Sequence, residues 1–182
     1  MTDIERLVRQ RRTVDCFLPE VPSRQIIIDA IDAARWAPNH HLTQPWHFHF
    51  PDIDMTGRII ELNAQLVEVK KGREAADAKR RRWHTMPGWL VVSCERSDDA
   101  MREKEDYAAC CCAIYAMSLV LWAKGIGVKW TTGDVIRDDT FYDICWIDRR
   151  TQEVAGLIWY GYPHKVPPPQ PRKDVGEIIT GF

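Results

Sequence analysis

The chain has 182 residues, of which 45% are hydrophobic, and a formal net charge of −1 at pH 7. This length and composition suit one folded domain over residues 1–182 and exclude disorder as the default state. A nearly neutral chain offers no general basic field for nucleic acid, and the absence of about 18 consecutive apolar residues predicts no membrane span.

The N-terminus and the cysteines predict a cytoplasmic protein. Residues 1–12 carry acidic side chains and lack the apolar core of a secretory signal. Of the six cysteines, three are consecutive at 110–112, and no C-x-x-C pair occurs. Consecutive cysteines cannot all face bridging partners, so we expect reduced and mostly buried thiols.

The first half of the chain is predicted to be mainly helical. A stripe of apolar side chains indicates a helix over 3–12, and Ser23 is a suitable cap for a second helix that ends at Pro38. Residues 46–50 alternate aromatic side chains with histidines, which predicts a strand with one buried face.

A third helical region is expected over 56–83. Its early part is apolar, whereas residues 70–82 are strongly charged and include acids among the cations. Because no aromatic residue is interleaved with these charges, we interpret 70–82 as a solvated segment or a mobile lid rather than a nucleic-acid patch.

The second half alternates strands and helices. An apolar run at 89–94 predicts a buried strand, and 101–124 predicts a long helix that is apolar nearly all round. Strands are expected from 127–130 and over 153–163, with a short helix at 138–146 between them. Helices first, and then strands mixed with helices, predict an α+β fold with a mixed β-sheet flanked by helices.

The C-terminal segment, VPPPQPRKDVGEIITGF, is predicted to be extended. Its prolines exclude a helix and favour polyproline geometry. The apolar residues Ile178, Ile179 and Phe182 at its end need a surface to cover them. That surface is either the body of the same chain or a second subunit.

The loop between the second helix and the first strand is crowded with polar side chains, which raises the question of a metal site. His40, His41, His47 and His49 lie within ten residues. His47 and His49 share one face of the strand, but adjacent His40 and His41 point in different directions, and no H-E-x-x-H motif occurs. We expect no metal ligand here, and a metal-dependent hydrolase remains an alternative.

Nucleophilic and nucleotide-binding motifs are not indicated. Cys110, Cys111 and Cys112 lie within an apolar helical stripe, where buried thiols are expected to be inert. Ser93 and Ser118 lack a G-x-S-x-G elbow, and no G-x-G-x-x-G or Walker loop follows a strand.

An anion site is the remaining candidate. Arg11, Arg12 and Thr13 place two guanidinium groups beside a hydroxyl at a helix end, and planar guanidinium groups bind phosphate oxygens bidentately. Two ordinary surface arginines are the alternative. Arg172 and Lys173 form a second cationic pair, within the proline-rich tail.

Four segments, together with the proline-arginine-lysine run of the tail at 171–173, resemble the FMN-dependent nitroreductase family, and most closely its small bacterial branch. They are RRTVDCF at 11–17, APNHHLTQPWHF at 37–48, KGIGVKWTTGD at 124–134 and VAGLIWYGYP at 154–163. The resemblance implies that family's α+β fold, a homodimer with FMN at the subunit interface, and an extended C-terminal tail that packs on the partner.

The resemblance also implies cofactor-binding residues. Arg11, Arg12 and Thr13 would hold the phosphate and ribityl chain, with Arg172 of the tail as a further phosphate contact. The residues Asn39, His40 and Gln44 would reach the flavin from the other subunit. The later segment that contacts FMN would be Thr131, Thr132 and Gly133.

The implied activity is electron transfer from NADH or NADPH, through bound FMN, to a nitroaromatic, a quinone or a similar small acceptor. The flavin carries this chemistry, so no catalytic side chain is required. Other chemistry on the same fold is the alternative: dehalogenation, flavin fragmentation or redox sensing.

Overall fold

Four strands form one sheet in the computed structural model, which describes residues 1–181. The strands are β1 (Trp46–His49), β2 (Gly88–Glu95), β3 (Gly127–Thr131) and β4 (Gln152–Gly161). Their order is β1-β2-β4-β3, so the two longest strands lie at the centre. Both central strands are buried along most of their length, as their apolar runs predict.

The predicted α+β fold is confirmed, but every pair of neighbouring strands is antiparallel. Helix α5 (Ala100–Ala123) connects β2 to β3, and these two strands run in the same direction because each is antiparallel to β4. Because β4 inserts between them, they do not pair with each other. In residues 1–181, the parallel component of the predicted mixed sheet is the isolated bridge between Thr13 and Val128.

Helices cover the sheet on both sides, and they pack around two separate apolar clusters. One side, the α5 face, is covered by α5 together with α1 (Asp3–Gln10) and α2 (Arg24–Ala34). The other side, the α3–α4–α6 face, is covered by α3 (Ile53–Lys71), α4 (Arg73–Trp83) and α6 (Asp139–Cys145). All predicted elements are present, with ends that move by only a few residues.

The third helical region differs from its prediction in two respects. It is two helices, broken at Gly72, which adopts φ 81°, a conformation that glycine enters without a Cβ clash. The charged stretch 70–82 is mostly exposed, as expected for a solvated segment, but it is helical: it ends α3 and forms most of α4, which is fixed to the core through the buried Ala76 and Trp83. Arg80 joins α4 to α3 through an ion pair with Glu61 at 2.8 Å.

Helix α5 is apolar on most of its circumference because it lies against the centre of the sheet. Its 24 residues and a mean hydropathy of 1.5 over 18 of them would also suit a membrane span. Eight of its residues are buried within the folded chain, however, including Cys110, Ile114 and Met117. Packing in the domain core therefore accounts for the apolar composition of this helix.

The C-terminal tail is extended, as predicted, apart from a short 3₁₀ turn at Val175–Glu177. Nearly all of residues 164–181 are exposed, and Ile178 and Ile179 are 67% and 42% accessible. The body of the same chain therefore does not cover this apolar end, and packing on a second subunit stays a prediction. Phe182 lies outside the described residues.

Candidate functional site

A cavity of about 460 Å³ opens on the α5 face, between the end of α1 and helix α5. We call it the α1–α5 cavity. It combines one guanidinium group and several hydroxyl groups with aromatic and apolar surface. Its lining residues are Arg11, Thr13, Tyr107, Tyr115, Ser118, Val128, Trp130 and Thr132.

Backbone pairing holds the first part of this cavity in place. The segment after α1 runs beside β3, where the amide of Val14 donates to the carbonyl oxygen of Val128 at 3.1 Å. Val14 itself is fully buried. The neighbouring residues Arg11 and Thr13 are therefore fixed at the edge of the sheet, and both face the cavity.

Trp130 forms a flat wall of the cavity because two features of β4 hold its ring. Its Nε1–H donates to the carbonyl oxygen of Ala155 at 3.0 Å. Its ring also fills the space beside Gly156, where a Cβ would lie 2.2 Å from Nε1. Gly156 thus allows the indole to lie flat on the sheet, and a glycine inside a strand was the sequence signal for this close approach.

The two neighbouring arginines have different environments. Arg11 lines the cavity, with its guanidinium carbon 5.9 Å from the centre of the Tyr115 ring. Arg12 instead turns back on α1, where its Nη1 donates to the carbonyl oxygens of Arg9 at 2.7 Å and Arg11 at 2.9 Å. Cations are favourable at the C-terminal end of a helix, so Arg12 has a structural role in the single chain.

The later predicted segment contributes Thr132 to the α1–α5 cavity. Thr131 ends β3, and at Gly133, two residues later, an added Cβ would meet open space. The next residue, Asp134, is tied to α3 by an ion pair with Lys70 at 2.7 Å. This contact lowers the pKa of the Asp134 carboxyl group. The segment is therefore held by strand pairing before Thr132 and by α3 after Gly133.

The remaining predicted residues do not reach the cavity of their own chain. The loop that carries Asn39, His40 and Gln44 packs on α5 at a different place, against Asp106. Arg172 lies in the exposed tail, and its Nη1 donates to the carbonyl oxygen of Pro171 at 3.2 Å. One chain therefore brings together Arg11, Thr13 and Thr132 of the predicted set.

Sequence reasoning missed Asp106. This residue lies on the same stripe of α5 as Cys110, Ala113 and Met117, and it is only 5% exposed. The side chains of Asn39 and Thr43 both donate to its carboxylate. An acid four residues before Cys110 on an apolar stripe was the signal for a buried polar contact.

The histidines do not converge on a metal site. No group of three or more potential ligands is present in residues 1–181. His47 lies 3.1 Å from a carboxylate oxygen of Glu95, measured from Nε2. His49 Nε2 lies 2.7 Å from Ser93 Oγ, and that hydroxyl donates to Gln152. Burial, followed by the charge of His47, lowers the pKa of His49 and favours its neutral form.

The cysteines are free thiols, and the buried ones are poor nucleophiles. Cys94, Cys110 and Cys145 are buried, whereas Cys16 and Cys112 are exposed. Burial raises the pKa of Cys145 to about 12, and the neighbouring thiol of Cys94 together with burial raises the pKa of Cys110. The thiolate form is therefore disfavoured at these positions.

Residues 8–162 match the sequence model of the nitroreductase family, and this match spans most of the chain. The chain therefore belongs to the nitroreductase family.

Similar proteins agree with this assignment along nearly the whole chain. The Bacillus subtilis protein named "Putative NAD(P)H nitroreductase YfhC" is 26% identical over 179 residues, which cover 96% of this chain and 91% of that protein. A nitroreductase-like family protein from Bacillus cereus has the same fold, with a TM-score of 0.86, 24% identity, and coverage of 100% and 97%.

A second similar structure is a mutant of the FMN and NADPH-dependent nitroreductase NfnB from Sphingopyxis. It superimposes with a TM-score of 0.79 at 15% identity and covers 99% of each chain. At this identity the similarity establishes the fold.

Proposed function

We propose that this chain is an NAD(P)H-dependent flavin oxidoreductase that uses FMN and reduces a nitroaromatic, a quinone or a similar small acceptor. Family membership supports the general class, and the named similar proteins support FMN and a nicotinamide donor. The observation that carries the proposal is the α1–α5 cavity, which places Arg11, Thr13 and Thr132 around one space. We also propose that the chain works as one domain, over residues 1–182, in the cytoplasm.

The chemistry of the cavity fits a phosphorylated and planar cofactor. Arg11 supplies a charged donor for phosphate, and the hydroxyls of Thr13 and Thr132 supply neutral donors. The rings of Tyr115 and Trp130 offer broad apolar surface for a flat ring system. The volume of about 460 Å³ is within the usual range for small-molecule sites.

When bound, FMN supplies the chemistry of hydride acceptance and electron donation, and the residues of the chain bind and orient it. Trp130 is held by the carbonyl oxygen of Ala155, so little motion is lost when a ring packs on it. Burial raises the pKa of Tyr107, whose phenol group therefore stays protonated and able to donate at neutral pH.

We further propose that the working unit is a homodimer with FMN at the interface. In one chain the cavity lacks the loop residues Asn39, His40 and Gln44 and the tail cation Arg172, and a second subunit would supply them. Large apolar side chains that one chain leaves exposed support an interface. They include Trp36, Leu42, Trp146 and Ile178.

The test is to purify the protein, record its visible spectrum and measure its mass in solution. We expect a yellow dimer that oxidises NADH or NADPH only when an acceptor such as a nitroaromatic or a quinone is added. A colourless protein that takes up no FMN would overturn the proposal. Stopped-flow mixing with NADH and NADPH separates this activity from the other flavin chemistries, which predict slow or absent bleaching of the bound flavin.

A further inference from the structure

Asp106 is the only charged side chain that is buried in the described part of the chain. No arginine, lysine or histidine of residues 1–181 lies within 4.0 Å of its carboxylate. A buried carboxylate without a cation is unfavourable unless hydrogen bonds compensate it. Because Asp106 is buried in the apolar helix α5, we expect its carboxylate to have a functional role that offsets this cost.

The hydrogen bonds of Asp106 run into the loop at residues 39–44. Thr43 Oγ1 donates to the carboxylate, which can only accept when it is ionised. Since Thr43 has one proton, its oxygen must accept from Asn39, whose Nδ2 lies 2.9 Å away. This fixes the orientation of the Asn39 amide, and its Oδ1 is left to accept the backbone N–H of Gln44 at 2.6 Å.

The loop needs such support because its backbone is strained. His41, Leu42 and Gln44 adopt φ of 59°, 50° and 50°, a left-handed region that side chains other than glycine rarely enter. The chain of hydrogen bonds from Asp106 ends on the amide of Gln44, one of these three residues. His40 and Gln44 are exposed and therefore accessible to a second subunit.

We propose that Asp106 is a positioning residue for the flavin site. By fixing the direction of the hydrogen bonds through Thr43 and Asn39, it holds the loop in the shape in which His40 and Gln44 contact FMN bound to the partner subunit. This inference rests on the function proposed above, because it assigns the loop to the flavin. Asp106 itself touches neither cofactor nor substrate.

The experiment measures FMN dissociation constants by quenching of flavin fluorescence, together with thermal stability. The variants are Asp106→Ala, Asp106→Asn, Thr43→Val and the double variant Asp106→Ala with Thr43→Val, all made in the full-length protein. The matched control is Asp99→Ala. Asp99 caps the start of the same helix by accepting from the amides of Met101 and Arg102, and none of its hydrogen bonds within residues 1–181 reaches the loop.

We expect Asp106→Ala and Thr43→Val each to weaken FMN binding about tenfold, the effect of losing one well-placed polar contact. The FMN dissociation constant of the double variant should exceed that of either single variant by no more than about twofold, because both changes break the same chain of hydrogen bonds. Asp106→Asn keeps an acceptor for Thr43 and should stay within about threefold of the wild type. Asp99→Ala should lower the melting temperature without changing FMN binding.

Three results would overturn the inference. These are unchanged FMN binding in Asp106→Ala, an equal loss in Asp99→Ala, or full additivity in the double variant. If Asp106→Ala does not fold, Thr43→Val alone decides, because Thr43 lies in a partly exposed loop. A wild-type protein that binds no FMN would remove the proposed function and this inference together, whereas failure in the variants alone leaves the proposed function intact.

Discussion

The two faces of the sheet bury similar sets of apolar side chains, but they use them differently. On the α3–α4–α6 face, the rings of Trp83, Trp89 and Trp159 pack edge to face, with centroid distances of 5.0 to 5.7 Å. On the α5 face, aromatic rings instead border an open cavity, and Asp106, the one buried carboxylate of residues 1–181, is hydrogen-bonded to a strained loop. The three indoles fill the space among themselves, whereas the α1–α5 cavity leaves space for a ligand.

The difference teaches that stability and binding are separable in this molecule. Mutual contact between large aromatic rings stabilises the fold beyond the area they bury. That face even retains the indole N–H of Trp159, which is buried without a hydrogen-bond partner among the described residues. At the α1–α5 cavity the aromatic rings do not pack on one another in this way, so polar groups and the flat ring of Trp130 remain available to a ligand.

The largest expected effect is a loss of stability when the aromatic cluster of Trp83, Trp89 and Trp159 is disrupted. Trp83→Ala removes from the aromatic cluster a residue that is only 6% exposed and should lower the free energy of unfolding by about 3–5 kcal/mol. Urea unfolding measures this loss. The FMN dissociation constant of the folded fraction should not change, and a large change in it would show that the two faces are not independent.

The second prediction concerns the close approach of Gly156 to Trp130. Gly156→Ala would place a Cβ against the indole and force Trp130 out of its position, at a cost of about 1–3 kcal/mol in stability. Because Trp130 lines the cavity, FMN binding should weaken as well. Gly57→Ala in α3 is the control, since its added Cβ meets open space away from the cavity and the tail, and it should weaken neither quantity.

The third prediction separates the two arginines. Arg11→Ala should weaken FMN binding by about 1.5–3 kcal/mol, as expected for a hydrogen bond to a charged group. Arg12→Ala should weaken it less in this arrangement, because its guanidinium group is bound to the end of α1. Equilibrium dialysis of FMN against both variants gives the ranking, and a greater loss in Arg12→Ala would show that Arg12 turns toward the cofactor on binding.

The smallest expected effect is the pH dependence that His49 contributes. Its folded pKa lies below the ordinary value of 6.5, so the unfolded chain binds a proton more readily. The stability that neutral His49 contributes is therefore fully present above pH 6.5 and is lost as the pH falls through the folded pKa. Unfolding of the wild type and of His47→Gln across this range should show a weaker pH dependence in the variant, because the repulsion from His47 is removed.

Much of the fold followed from local patterns. The strand predicted at 89–94 is observed at Gly88–Glu95, and the helix predicted at 101–124 is observed at Ala100–Ala123. Their apolar runs had unambiguous lengths and ends. The antiparallel sheet was not predicted, because the insertion of β4 between β2 and β3 depends on contacts between distant parts of the chain.

The candidate site was predicted only where its residues carry a motif. Arg11, Thr13 and Thr132 come from segments recognised by resemblance, and the structure brings them to one cavity. Gly156 inside a strand signals a close approach, but the alignment of β3 with β4 decides that the approaching ring is Trp130, and no local pattern reveals that alignment. Asp106 was missed although it lies on the apolar stripe of α5, because the stripe does not reveal which residues of a distant loop bond to its carboxylate.

The position of β4 also has a consequence for biosynthesis. It is the last strand to be made, yet it lies between β2 and β3, which are made earlier. Until residues 152–161 leave the ribosome, both earlier strands have unpaired edges, and such edges promote association with other chains. A nascent chain arrested before this strand should therefore depend on chaperones, whereas release of only ten further residues completes the sheet.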